Sequence, residues 1–235
     1  MTDFEYDLLQ DKQLGATMGL IVLQSDETLE PEFKDYFKDK PINLYTSRVP
    51  SGLDVSRESL MQMEGHLSEA ARLFPRGRKF DVVGYGCTSA SSIIGSDAVA
   101  MHVKSACNVA HVTNPLAATL AYAKHKGVSR LGLLSPYVES VSRSLRDAFH
   151  TSGLSTQVFG SFNEAQEAKV ARISERSIYE AALKIGQNTQ TDAVFISCTN
   201  LRTRAVLDEL QDALGKPVFS SNSCLAWHME TLANG

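Results

Sequence analysis

The chain has 235 residues, 43% of them hydrophobic, enough to bury the core of one large domain or of two units of about 115 residues each. Its net charge of −4 and pI near 5.9 exclude the basic field that nucleic acid or an anionic membrane surface would need. The opening MTDFEYDLLQ is acidic and lacks the apolar core of a signal peptide, and no run approaches the roughly 18 apolar residues of a membrane span, so a cytoplasmic chain without a membrane partner is expected.

In chain order, the apolar run at residues 19–23 predicts a first strand, with Ser25, Asp26, Glu27 and Thr28 as its loop and helix cap. Pro31 begins the helix EFKDYFKD, and Pro41 ends it before a strand at residues 42–46. Residues 48–56 read as a Pro/Gly/Ser loop beside a cleft at the strand carboxyl ends. Leu60, Met63, Leu67, Ala70 and Ala71 share one face of a long helix over residues 57–74. The strand that ends at Cys87 is followed by a helix to about residue 104, a strand at 108–113, and a helix that Asn114 and Pro115 open and Gly127 stops.

A second series begins at residues 131–134. Pro136 and Tyr137 are expected to start a helix to residue 150. Strands follow at 155–159, 193–197 and 218–220, and helices at 168–187, 203–214 and from Asn222 through residue 232. Asn114 and Asn222 are expected to cap their helices. Strand and helix alternate from end to end, which predicts an α/β fold with parallel sheets and helices on both faces.

One stretch organises the rest. Residues 81–94, DVVGYGCTSASSII, recur in reduced form at residues 192–205, DAVFISCTNLRTRA, and both copies share D-x-V-x-x-x-C-T. In each, an acidic residue precedes a buried parallel strand, a cysteine stands where the strand ends, and Thr with a small polar residue opens a helix. MGLIVLQSDE and LGLLSPYVE, and TNP and SNS, repeat near the same offset. The expected architecture is therefore two pseudo-symmetric flavodoxin-like lobes, residues 1–114 and 115–221, with the closing helix, residues 222–235, completing the first. Ligands of open parallel sheets bind at the topological switch point, which puts Cys87 and Cys198 on opposite walls of one cleft. A helix amino terminus beside each sulfur would favour the thiolate.

The remaining cysteines, Cys107 and Cys224, read as small hydrophobes. No C-x-x-C or H-E-x-x-H spacing is present, so no metal is expected. Cys198 to Arg204 also satisfies C-x5-R, the phosphate-loop spacing of cysteine phosphatases, but without the glycines that let such a loop curl around phosphate. A non-catalytic small-ligand binding protein of the same fold is the other remote alternative.

The paired C-T-[SN] strand ends, with GLIV, TLEPEF, VVGYGCTS, GVSRLGLLSPY and SCTNLRT in this order and spacing, resemble the aspartate/glutamate racemase superfamily, in particular its maleate isomerase and arylmalonate decarboxylase branch. The resemblance implies a homo-oligomeric isomerase whose two lobes enclose a small carboxylate and whose two cysteines work without metal, flavin or pyridoxal phosphate. By that resemblance Cys87 is the nucleophile or base and Cys198 the opposing acid. Thr88, Ser89, Thr199 and Asn200 would donate to substrate carboxylates, and Tyr137 falls where maleate isomerases place a carboxylate-binding tyrosine. Arylmalonate decarboxylases keep only the second cysteine, so the presence of both argues for an isomerase.

One departure from the family pattern bears on substrate: Asp26 stands where maleate isomerases carry an asparagine. An ionised Asp26 about 4 Å from a substrate carboxylate would repel it by roughly 1 kcal/mol in water-like surroundings and about 4 at an effective dielectric near 20. An acid there resembles the amino-acid racemases and the racemase-like protein of ectoine-utilisation pathways. An amino acid whose ammonium group Asp26 holds is thus the alternative to maleate, and a helix cap the plain structural role. A further substrate-binding asparagine of the family falls near residues 170–172, where Asn163 stands a few residues early and Glu167 nearer.

Overall fold

The computed structural model describes residues 1–10 and 15–235; residues 1–10 are exposed and without regular structure. The first half runs β1 (Ala16–Leu23), α1 (Leu29–Phe37), β2 (Ile42–Val49), α2 (Arg57–Gln62), α3 (Leu67–Arg72), β3 (Phe80–Gly86), α4 (Thr88–Ile94), α5 (Ser96–Lys104), β4 (Val109–Thr113) and α6 (Pro115–Lys126). The second half runs β5 (Arg130–Tyr137), α7 (Glu139–Thr151), β6 (Ser155–Glu164), α8 (Glu167–Val170), α9 (Glu175–Gly186), β7 (Ala193–Ile196), α10 (Leu207–Leu214), β8 (Val218–Ser220) and α11 (Ser221–Asn234).

The strands form two parallel four-stranded sheets, ordered β2-β1-β3-β4 and β6-β5-β7-β8. This is the expected α/β architecture, with the same winding in each half. The winding reverses between β1 and β3 in one sheet and between β5 and β7 in the other, so each sheet has its ligand crevice there. The central strands are buried on both faces, which explains their continuous apolar runs. Along β1 the side chains part by alternation: Met18, Leu20 and Val22 join a cluster with Leu133, Phe195 and Phe219, whereas Ile21 and Leu23 join one with Tyr85, Leu134 and Ile196. Each cluster draws on both sheets. At about 1.5–3 kcal/mol per fully buried large side chain, this shared core holds the two sheets together.

The acid of each repeated motif is structural. Asp81 accepts the Thr17 N–H at 2.8 Å and Asp192 the Arg130 N–H at 3.0 Å, so each pins the start of a cysteine strand to its neighbour. The helix α11 returns from β8 to lie against β3, where a Cβ on Gly84 would stand 2.5 Å from the Met229 sulfur. A side chain there would force the Met229 thioether to move.

Several predicted elements are revised. The helix over 57–74 is interrupted by a 3-10 turn at Met63–His66 that contains Gly65, a poor helix former, yet Leu60, Met63 and Leu67 remain buried. The helix after Cys87 breaks at Gly95, whose φ of 90° no helix allows. Pro136 and Tyr137 do not start a helix; β5 carries them to its end, with an irregularity between Ser135 and Tyr137, and α7 begins at Glu139. The helix at 168–187 is two helices, with Ser174 capping the second through the Ser177 N–H. The strands β2 and β6 run on to Val49 and Glu164. Asn114 caps α6, but Ser220 rather than Asn222 caps α11.

Candidate active site

Cys87 is the N-cap residue of α4, and its sulfur accepts the Ala90 N–H at 3.4 Å. Cys198 does not open a helix. Its φ is 102°, and turns and irregular backbone occupy residues 199–206 before α10. A buried carboxylate takes the place of helical bonding there. Glu32 on α1 accepts the N–H groups of Thr203 at 2.7 Å and Arg204 at 2.9 Å, and its second oxygen accepts from Asn222 Nδ2 at 2.8 Å. Asn222 in turn donates to the Thr199 carbonyl at 3.0 Å. The segment after Cys198 is thus held by residues from opposite ends of the chain.

Both cysteines reach one cavity. Thr88, Ser89, Tyr137, Thr199 and Asn200 line it with them, joined by Leu23, Leu60 and Glu167. Ser221, the first residue of α11, fastens the floor: its hydroxyl accepts from Cys198 N–H at 3.0 Å and from Thr88 Oγ1 at 2.8 Å. The open volume is about 10 Å³, room for about one water. A wider groove of about 490 Å³ between α1 and residues 202–208 contains no thiol.

Asp26 is the exception among the predicted residues: it does not line the cavity. Its Oδ1 accepts the N–H groups of Thr28 and Leu29 at 2.8 Å each, which caps α1, while Oδ2 is buried without a hydrogen-bond partner. Arg204, the arginine of C-x5-R, bonds to Asp35 and packs on the Tyr36 ring along the wider groove. No phosphate loop forms around Cys198.

Glu167 occupies the wall instead. Oε1 accepts from Tyr137 Oη at 2.7 Å and Oε2 from Asn200 Nδ2 at 2.9 Å. Tyr137 Oη is also 3.0 Å from the Cys198 sulfur, and Asn200 N–H donates to that sulfur at 3.3 Å. The tyrosine hydroxyl is thus engaged with a carboxyl group and a thiol on the cavity wall. The loop at residues 50–56 sets Glu167 in place: Val55 N–H donates to the Ala165 carbonyl at 2.9 Å and Glu167 N–H to the Leu53 carbonyl at 3.1 Å. Asn163, at the exposed end of β6, is turned into a local bond with Ser161. The sequence pointed near Glu167 only through the spacing of a family asparagine.

Burial dominates the electrostatics. It pushes the Cys87 thiol up to about 12; the Ala90 N–H pulls the other way, and the Glu167 and Asp26 carboxyl groups add to the rise. Cys198 is raised well above the ordinary thiol range, again by burial first and then by Glu167. The expected helix-terminus effect is present at Cys87 and is outweighed. Burial also raises Glu167 and Asp26 above the ordinary carboxylate range. Among the described residues, no group of three or more His, Cys, Asp or Glu is placed to hold a metal ion, and no helix is long and apolar enough to cross a membrane.

The chain matches the family model for arylmalonate decarboxylase over residues 19–234. A maleate isomerase from Geobacillus stearothermophilus is 22% identical over 221 residues, covering 87% of this chain and 86% of that one. The maleate isomerase Iso of Pseudomonas putida S16 shares the fold with a TM-score of 0.84 at 19% identity, over 93% of each chain. The Nocardia farcinica maleate cis-trans isomerase, solved as a mutant with a covalently bound succinylcysteine intermediate, does so with a TM-score of 0.80 at 19% identity, over 93% of each chain. The family match takes in both sheets and both cysteine strand ends, and the chain belongs to the arylmalonate decarboxylase family.

Proposed function

We propose that the protein is a cofactor-independent isomerase of a small carboxylate, with Cys87 and Cys198 acting from opposite sides of the bound molecule. The observation that supports this reading is the arrival of two thiols, from the switch points of two sheets, in one cavity. Two such groups let one remove or add on one face what the other supplies on the opposite face.

The first reaction of this kind is the cis-trans isomerisation of maleate, the activity of the Geobacillus, Pseudomonas and Nocardia proteins. The Cys87 thiolate adds to one olefinic carbon, and the π pair moves to its neighbour, which takes a proton from Cys198. This gives a saturated succinyl adduct, the species named in the Nocardia structure. The carbon–carbon bond, now single, rotates. Cys198 then takes a proton back and the carbon–sulfur bond breaks, releasing fumarate and the Cys87 thiolate.

A second reading, racemisation of an amino acid, is favoured by Glu167. Its carboxyl group on the cavity wall, with Asp26 close enough to act on both thiols, suits an ammonium group better than a second carboxylate. One thiolate would remove the Cα proton while the opposite thiol delivers another.

The test is incubation in deuterated water with maleate and, separately, with amino acids including aspartate, glutamate and 2,4-diaminobutyrate derivatives, followed by NMR. Conversion of maleate to fumarate supports the first reading. Deuterium wash-in at Cα with loss of optical purity supports the second. Turnover that survives replacement of both cysteines by alanine would overturn the two-thiol proposal.

A further inference from the structure

Neither reaction above gives the carboxyl group of Glu167 a part in proton transfer, yet it ends a continuous row. Glu167 Oε1 is 2.7 Å from Tyr137 Oη, which is 3.0 Å from the Cys198 sulfur, and all three side chains are buried. The phenol in the middle carries a single hydrogen, so two arrangements satisfy the row. With Glu167 ionised, Tyr137 donates to the carboxylate and the Cys198 thiol donates to the tyrosine oxygen. With Glu167 protonated, the carboxyl O–H donates to the tyrosine oxygen and Tyr137 donates to a Cys198 thiolate.

We propose that Glu167, acting through Tyr137, is the proton store of Cys198. One proton passes from the Cys198 sulfur to Tyr137 Oη as the tyrosine proton passes to Glu167 Oε1, and the reverse shift restores the thiol. No electron pair changes owner, and the row bears one negative charge in both arrangements. Cys198 thus changes from acid to base without charge entering or leaving a buried cavity, where an uncompensated charge is costly. The Asn200 Nδ2 bond to Oε2 holds the carboxyl plane fixed while Oε1 exchanges the proton. Glu167 is a positioning residue in this scheme, since it reaches the sulfur only through the tyrosine.

The other titratable or charged groups that face the row are Asp26 from the loop after β1 and Cys87 at the end of β3, with Arg48 beside Asp26 and Tyr85 beside Cys87. Of the titratable groups among the described residues, only Tyr137 is in hydrogen-bond contact with both Glu167 and the Cys198 sulfur. Asn200 also touches both, but it offers N–H donors that do not titrate.

This inference deepens the two-thiol reading and rests on it for its purpose, but its test needs no substrate, so the two fail separately. The rate of Cys198 alkylation by iodoacetamide is followed by peptide mass spectrometry from about pH 6 to about pH 9 in the wild type, Glu167→Gln and Tyr137→Phe. A thiolate formed by internal transfer has a pH-independent population, so the wild-type rate is expected to stay flat within about 3-fold across that range. In Glu167→Gln, which keeps a hydrogen-bonding amide but cannot store a proton, the rate should fall at least about 10-fold at neutral pH and climb about 10-fold per pH unit. Tyr137→Phe, which cuts the row, should do the same. If Glu167 were only a neighbouring negative charge, its removal would ease ionisation and raise the rate in Glu167→Gln; a purely structural role would leave the profile unchanged. Either result overturns the proposal, as does a wild-type rate that itself climbs about 10-fold per unit, a measurement that requires no variant to fold.

Discussion

Thr199 Oγ1 donates to the Gly86 carbonyl at 3.2 Å, so the residue after one cysteine is bonded directly to the residue before the other. This bond ties the two cysteine strand ends directly to each other. Their mutual geometry is a property of the core, and substitutions at the sulfurs themselves should report on chemistry more than on folding.

Replacing Cys87 or Cys198 by serine is expected to lower turnover of the substrate found in the NMR panel by at least about 100-fold, because a hydroxyl is far too weak an acid to serve as the ionised partner. Steady-state rates of each variant, with circular dichroism to verify the fold, are the check.

Glu32→Ala should leave the Thr203 and Arg204 N–H groups and the Asn222 amide without their acceptor. The expected loss is about 2–4 kcal/mol of unfolding free energy, read from urea melts, because buried donors left unpaired bear their desolvation cost in full. Turnover should fall as well, since the same bonds shape the segment behind Cys198.

Asp26→Asn retains an oxygen for the Thr28 and Leu29 N–H groups and should cost little stability, whereas Asp26→Ala loses the cap and should cost about 1 kcal/mol. If the Asp26 charge tunes the cavity, Asp26→Asn will improve maleate turnover and impair amino-acid exchange. Unchanged kinetics in that variant would restrict Asp26 to capping.

Stability at low pH should depend on the acid of the second motif copy. The Arg130 guanidinium, with the Ser129 and Arg130 N–H groups, lowers Asp192 from the ordinary 3.8 to about 2. A carboxylate held lower in the folded state contributes stability that is complete above about pH 4 and is lost as pH falls through about 2. Thermal melts of Asp192→Asn should therefore converge on the wild type toward pH 2 and lie below it at pH 5. Parallel curves would assign no such linkage to Asp192.

The alternation of strand and helix and the pairing of the two cysteine ends were legible in the sequence because they rest on local signals: unbroken apolar runs, an acid at each strand start and C-T at each strand end, repeated in both halves. Helix length was less legible, since Gly65 and Gly95 break patterns whose apolar spacing continues across them. The turns after Cys198 could not be read at all, because the carboxylate that supplies their bonding, Glu32, lies 171 residues from Thr203 in the chain. The same holds for the row that ends at Cys198, whose tyrosine lies 30 residues from Glu167 and 61 from the cysteine. Composition and periodicity report which residues are buried and how the backbone is bonded within a segment. Which carboxyl group meets which thiol was decided only when the two sheets packed on their shared core, because burial without water obliges each polar group to find its partner wherever the tertiary fold supplies one.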